Sequence, residues 1–169
     1  MDNNYNIDAL LDTLEQQVRD WMQARGIADP LLVGIHTAGV WIAEHLQQRL
    51  QLAEEPGSLS VTFYRDDFSR VGLHPQSKPS LLPDVNNRHV LLIDDVIYTG
   101  RTLRGAMNEL FDFGRPASIT VAVLVARQGR ELPIEPQLAA LHAEPGAQWH
   151  IEVTGPQPLA LAVVPRAAP

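Results

Sequence analysis

Asp94 and Asp95 stand side by side at the end of an apolar run in "VLLIDDVIYTGRT" (90–102), directly before a turn built from Tyr98, Thr99, Gly100, Arg101 and Thr102. Ionised carboxylates offer only lone pairs, so the two acids require hydroxyl donors, a cation, or both. The turn requires the opposite partner. A strand-to-helix turn of small residues presents backbone N–H groups that the fold does not use, and the helix dipole makes them an anion site. Gly100 lets the backbone come close, and Thr99 and Thr102 add hydroxyl donors. A ligand with a phosphate at one end and vicinal hydroxyls nearby satisfies both halves, and ribose 5-phosphate is such a ligand. A solvated acid beside an N-cap is the plainer alternative that the two acids alone leave open.

Positioning such a turn takes a strand before it and a helix after it. "VLLI" (90–93) reads as a central strand, and "RTLRGAMNELFDF" (101–113) as a helix stopped by Gly114 and Pro116. Ile7, Leu10, Leu11, Leu14, Val18, Trp21 and Met22 recur at helical spacing, so 8–25 is expected to be an amphipathic helix capped by Asp8 and ended by Gly26. "PLLVGI" (30–35) reads as a buried strand, 40–51 as a helix, 58–64 as a strand alternating Leu59, Val61 and Phe63, and 118–125 as a further strand. Short strands are expected near 149–153 and 160–164. Strands alternating with helices imply a mostly parallel sheet flanked by helices, an α/β fold. Ligands bind such sheets beyond the carboxyl ends of the strands. Two loops lie at such ends, 34–39 and 94–102. The stretch 65–89 has three prolines, one glycine and no sustained periodicity, as lids and binding loops do.

The chain of 169 residues suits a single domain with a sizeable core. It has no cysteine, which excludes disulfides and thiolate chemistry and fits a cytoplasmic protein. The six histidines show no HExxH-type spacing, and no apolar stretch is long enough to span a bilayer. A net charge of −7 does not steer the chain toward nucleic acid. Arg19, Arg25, Arg104, Arg115 and Arg130 could nevertheless gather on one face.

The string 90–102 resembles the phosphoribosyl pyrophosphate (PRPP) signature of type I phosphoribosyltransferases. "LLVGIHTAGVWIAEHL", "VTFYRDDFS", "GRTLRGAMNELFDFGRPASI" and "AVLVARQGRELPI" resemble, in the same order, the PyrR family over residues 31–134. That family comprises pyrimidine-operon regulators, many of them also uracil phosphoribosyltransferases. The resemblance implies a core over 8–125, a flap over 65–89 and a hood over 126–169. It implies that Asp94 and Asp95 hold the ribose hydroxyls and that Arg65 on the flap contacts the leaving group. Tyr98, Thr99, Gly100, Arg101 and Thr102 would take the 5′-phosphate. Gly34, Ile35, His36, Thr37, Ala38 and Gly39 would take the pyrophosphate, and Val125, Ala126 and Arg127 the base. Mg²⁺ would arrive on PRPP, with no ligand directly from the protein. Uracil, UMP and other uridine nucleotides, pyrimidine-operon leader RNA and a second copy of the chain are the implied partners.

Several residues depart from the family pattern. His36 and Ala38 replace a lysine and an arginine in the pyrophosphate loop. Ala126 and Gln137 replace two acids, and Gly129 replaces a histidine. These departures keep two alternatives open: a nucleotide-sensing, RNA-binding attenuator with weak or no transferase activity, and a purine phosphoribosyltransferase.

Overall fold

The computed structural model describes residues 5–61 and 78–167. The elements are α1 (Ile7–Arg25), β1 (Leu31–Ile35), α2 (Ala38–Leu50), β2 (Gly57–Leu59), β3 (His89–Ile97), α3 (Arg101–Phe113), β4 (Ser118–Arg127), β5 (Leu138–Ala143), β6 (Trp149–Thr154) and β7 (Ala160–Pro165). Five strands form one parallel sheet in the order β2-β1-β3-β4-β5, and β6 and β7 pair antiparallel in a separate hairpin. The α/β fold expected from the alternating pattern is the fold observed.

Helix α1 buries Ile7, Leu11, Leu14, Val18 and Trp21, whose spacing of three and four puts them on one face. Its cap is Asn6, not Asp8: the Asn6 side chain accepts from the N–H groups of Asp8 (3.0 Å) and Ala9 (3.2 Å). The helix starts one residue before the expected point, so Asp8 falls in the first turn, where its charge suits the dipole. Gly26 ends the helix with φ 62°, and its N–H bonds Gln23 while that of Ile27 bonds Met22.

One face of the sheet is covered by α1, α2 and the β6–β7 hairpin, around Leu14, Leu46, Ile93, Leu124 and Ile151. The other is covered by α3, with Leu103, Ala106 and Leu110 against Val90, Leu92 and Val121. The central strands are therefore apolar on both sides, as a doubly covered parallel sheet requires. Strand β2 stops at Leu59, short of the expected 58–64, because its partner β1 ends at Ile35. Residues 62–64 of that expectation lie outside the described residues. Strand β5, within the expected hood, belongs to the main sheet. Among the described residues no helix is long and apolar enough to cross a membrane.

Candidate active site at the carboxyl ends of the strands

Strand β3 carries the two acids within it, beyond the expected end at residue 93. Strand β4 continues alongside, pairing Val123 with Asp94, Val125 with Val96 and Ala126 with Ile97, so the ladder runs on to Ile97. The two carboxylates consequently have different surroundings. Asp94 is 5% exposed, and its Oδ1 accepts the N–H of Asp95 at 2.9 Å, while Asp95 is half-buried. The following turn places Gly100 at the N-cap of α3 with φ 93°, a left-handed conformation that glycine adopts without strain. Gly100 has no side chain to offer, so α3 opens without a cap from its own N-cap residue. Thr99 is buried, and its Oγ1 accepts the N–H of Arg101 at 3.2 Å. Arg101 turns to Glu131, with Nε 2.8 Å from its carboxylate.

The loop 34–39 reaches the acids through two glycines. A Cβ on Gly34 would lie 2.5 Å from Cα of Val40 and 2.6 Å from the Gly39 carbonyl oxygen. A Cβ on Gly39 would lie 2.5 Å from the Ile93 carbonyl oxygen and 3.2 Å from Cα of Asp94. Only hydrogen at both positions lets the start of α2 rest on the ends of β1 and β3. Thr37 occupies the N-cap of α2 without a side-chain cap hydrogen bond. Two helix N-termini without side-chain caps, those of α2 and α3, thus flank the acid pair. The N–H of His36 ties the loop to the Leu59 carbonyl at 2.9 Å, the His36–Thr37 peptide is cis, and Ile35 is buried in the core.

The residues expected at the base lie at the end of β4. Val125 and Ala126 are buried. Arg127 is only 3% exposed, with its guanidinium 3.9 Å from the centre of the Tyr98 ring. It donates to the carbonyls of Trp149 (2.9 Å) and Gly146 (3.1 Å), and its buried Nε has no hydrogen-bond partner among the described residues. Burial pushes the Arg127 guanidinium below its ordinary value; Tyr98 opposes this and Arg166 adds to it. The side chain thus joins the hairpin to the turn. Ala126, Gln128, Arg130, His142 and Glu144 help to line an adjacent cavity of about 340 Å³. Gln137 serves the sheet: its Oε1 accepts from Val121 at 2.7 Å and its own N–H bonds the Val121 carbonyl at 3.0 Å.

Arg65 and the flap residues 65–77 lie outside the described residues. Beyond them, Leu81 and Ser58 exchange backbone hydrogen bonds of 2.8 Å each way. Ser80 Oγ accepts the N–H of Ser60 at 2.9 Å and donates to Glu109 at 3.3 Å. The chain therefore re-enters the described fold at the edge strand, beside the point where it leaves.

Residues 3–157 match the phosphoribosyl transferase domain family. A Bifunctional protein PyrR of Nitrosococcus oceani is 48% identical over 161 residues, covering 94% of this chain and 91% of the relative. The chain belongs to the PyrR family of phosphoribosyl transferases. A PyrR of Pseudomonas aeruginosa is 47% identical over 153 residues, 90% of each chain. Among solved structures, a hypoxanthine-guanine phosphoribosyltransferase from Bacillus anthracis superimposes with a TM-score of 0.69 at 11% identity, covering 97% of this chain and 98% of that one. A hypoxanthine-guanine-xanthine phosphoribosyltransferase gives 0.61 at 21%, covering 85% and 82%. At such identities these two share the fold alone. In this PyrR-family chain the acids, the turn and the loop expected from sequence meet at one point. The bonds of Arg127 and Arg130 to backbone carbonyls carry no sequence signal.

Proposed function

We infer that this PyrR-family protein transfers the ribose 5-phosphate group of PRPP to uracil, giving UMP and pyrophosphate, and responds to uridine nucleotides as a cytoplasmic regulator of pyrimidine genes. One observation carries the transferase reading: the Gly34 and Gly39 contacts bring the N-terminus of α2 onto the end of β3 beside the Asp94–Asp95 pair, which the turn 98–100 joins to the N-terminus of α3. Two anion sites separated by two diol acceptors match the two phosphate ends and the ribose of PRPP.

In this reading the α3 turn holds the 5′-phosphate, and Asp94 and Asp95 take the 2′- and 3′-hydroxyls. The loop 34–39 holds the pyrophosphate, and Arg65 on the flap contacts it as it leaves. The base lies against the backbone of Val125, Ala126 and Arg127. A uracil nitrogen bonds to C1 of the ribose and gives up its proton to the departing pyrophosphate or water, as the bond from C1 to pyrophosphate breaks, so positive charge develops on the sugar and negative charge on the leaving group. Donors fixed in advance stabilise such charge, each contributing about 3–4 kcal/mol where one has been removed from other enzymes. Mg²⁺ would enter on PRPP, its octahedral shell filled by pyrophosphate oxygens and waters, with no ligand directly from the protein. Bound there, it would neutralise the leaving group.

The regulatory half of the proposal rests on family membership. Leader RNA would need clustered cations. Of the five arginines that could form such a cluster, Arg19 pairs with Glu15 and Arg130 with Glu135, so Arg25, Arg104 and Arg115 are the ones to test first. The deciding experiment supplies purified protein with PRPP, Mg²⁺ and uracil, with hypoxanthine and guanine in parallel. UMP formation supports the assignment; turnover of a purine in its place transfers it to the purine reading, and no product leaves only the sensor.

A further inference from the structure

The segment 127–134 wraps the turn 98–100. Arg130 Nη1 donates to the Tyr98 carbonyl at 2.5 Å and to the Arg127 carbonyl at 3.0 Å. Its Nε and Nη2 form a two-point fork onto Glu135, each bond 2.9 Å. The next two amides, of Glu131 and Leu132, both donate to the Thr99 carbonyl, at 2.9 and 3.1 Å. A Cβ at Gly100 would touch Leu132 and Ile134 at 3.5 Å and the Arg130 stem at 3.7 Å. The Tyr98 ring is held from the same segment, under Arg127 and against Gly129, where an added Cβ would collide with Cε2.

These contacts have one geometric effect. The carbonyls of Tyr98 and Thr99 are drawn back into the protein, and the peptide planes that carry them are fixed. A planar peptide whose carbonyl is pinned on one side must direct its N–H to the other. The N–H groups of Thr99 and Gly100 belong to those two planes, and they point away from the segment 127–134. We propose that Arg130 is a positioning residue for the sugar-phosphate turn: it touches no ligand, and its fork on Glu135 holds the Tyr98 carbonyl so that the following amide stays aimed at the phosphate. The proposal rests on the reading of 98–102 as the 5′-phosphate site and assigns a task to a side chain that this reading left unused. Arginine suits the task because its planar, five-donor head bonds a carboxylate and two carbonyls together, which a lysine ammonium on a flexible stem does not do with fixed geometry.

The test separates the two anion sites. Ribose 5-phosphate, UMP and inorganic pyrophosphate are titrated calorimetrically into wild type, Arg130→Gln and Arg130→Lys. The expected result for Arg130→Gln is about tenfold weaker binding of ribose 5-phosphate and UMP, with pyrophosphate binding unchanged within twofold. Arg130→Lys recovers part of the loss. In turnover, KM for PRPP rises while KM for uracil holds. Glu135→Gln, at an exposed carboxylate, gives the same selectivity with a smaller loss and serves if Arg130→Gln does not fold. Equal weakening of pyrophosphate overturns the proposal, since a general loosening would spare neither site; so does unaltered ribose 5-phosphate binding. A wild type that binds neither sugar phosphate overturns the reading of the turn itself.

Discussion

Replacing Gly39 by alanine isolates the contact on which the site depends. The new methyl carbon would lie 2.5 Å from the Ile93 carbonyl oxygen, an atom of the central strand that cannot rotate away. Carbon and oxygen in close contact sit about 3.3 Å apart, so the start of α2 must retreat by roughly 0.8 Å. Overpacking of this kind costs about 1–3 kcal/mol. Alanine's better helix propensity returns up to about 1 kcal/mol. The net loss of about 0–2 kcal/mol lowers Tm by no more than about 8 °C in a domain of this size. The functional loss is larger, because a misplacement near 1 Å costs about a hundredfold in rate. Gly26→Ala supplies the comparison: its left-handed φ of 62° makes alanine unfavourable by about 1–2 kcal/mol, and nothing lies within 4 Å of the added carbon. Both variants are assayed for Tm and for kcat/KM with PRPP. The expected outcome is similar destabilisation, with a hundredfold drop in kcat/KM for Gly39→Ala alone. If the two variants agree in kcat/KM within twofold, the close approach of loop and acids is not what makes the site.

Asp94→Asn and Asp95→Asn should each lower transfer by about 10²–10³ with the far-ultraviolet spectrum unchanged, because the side-chain carbonyl oxygen of an asparagine in place of Asp94 can still accept the Asp95 N–H; wild-type turnover in either would contradict the diol assignment. Arg127→Met keeps the volume but leaves the carbonyls of Trp149 and Gly146 unpaired, for an expected loss of about 1–3 kcal/mol in urea unfolding. Acid should destabilise the fold through Glu15 and Glu135. Hydrogen bonds from Arg19 and from Arg130 respectively hold their carboxyls below the ordinary glutamate value of 4.5. A lowered folded-state value means stability that is fully present above the ordinary range and lost as pH falls below it. Both pairs are solvent-exposed on at least one side, so each contributes under about 1 kcal/mol. Glu15→Gln should flatten the fall in Tm as pH drops below the ordinary glutamate value of 4.5, and an unchanged slope would remove Glu15 from the account.

The features legible in the sequence are those set by near neighbours. Helix α1 shows in its spacing of three and four, and α3 in its start at Gly100 and its end at Gly114. The acid pair and its turn were legible because strand, acids and glycine follow one another directly. Strand β5 was not. "LAALHA" (138–143) has no β-branched residue and no alternation, and it is a strand because β4 offers an open edge to it. The strand expected over 58–64 has the right alternation, but pairing stops where β1 runs out. The cap at Asn6 turned on a one-residue difference in where α1 begins. The engagements of Arg127 and Arg130 depend on carbonyls up to thirty-two residues away, and no spacing rule reports those.

The N-terminal helix packs on the last strand to join the sheet: the Gln17 side chain donates to the Ala139 carbonyl at 3.0 Å, across 122 residues of chain. During synthesis the greasy side of α1 therefore leaves the ribosome long before β5 exists to receive it. Nascent chains halted ahead of Leu138 should be sticky and protease-sensitive, and release of a few dozen further residues should end both properties together. The burial of α1 is completed only when β5 reaches it, so a growing chain that has not yet made β5 should need protection from aggregation.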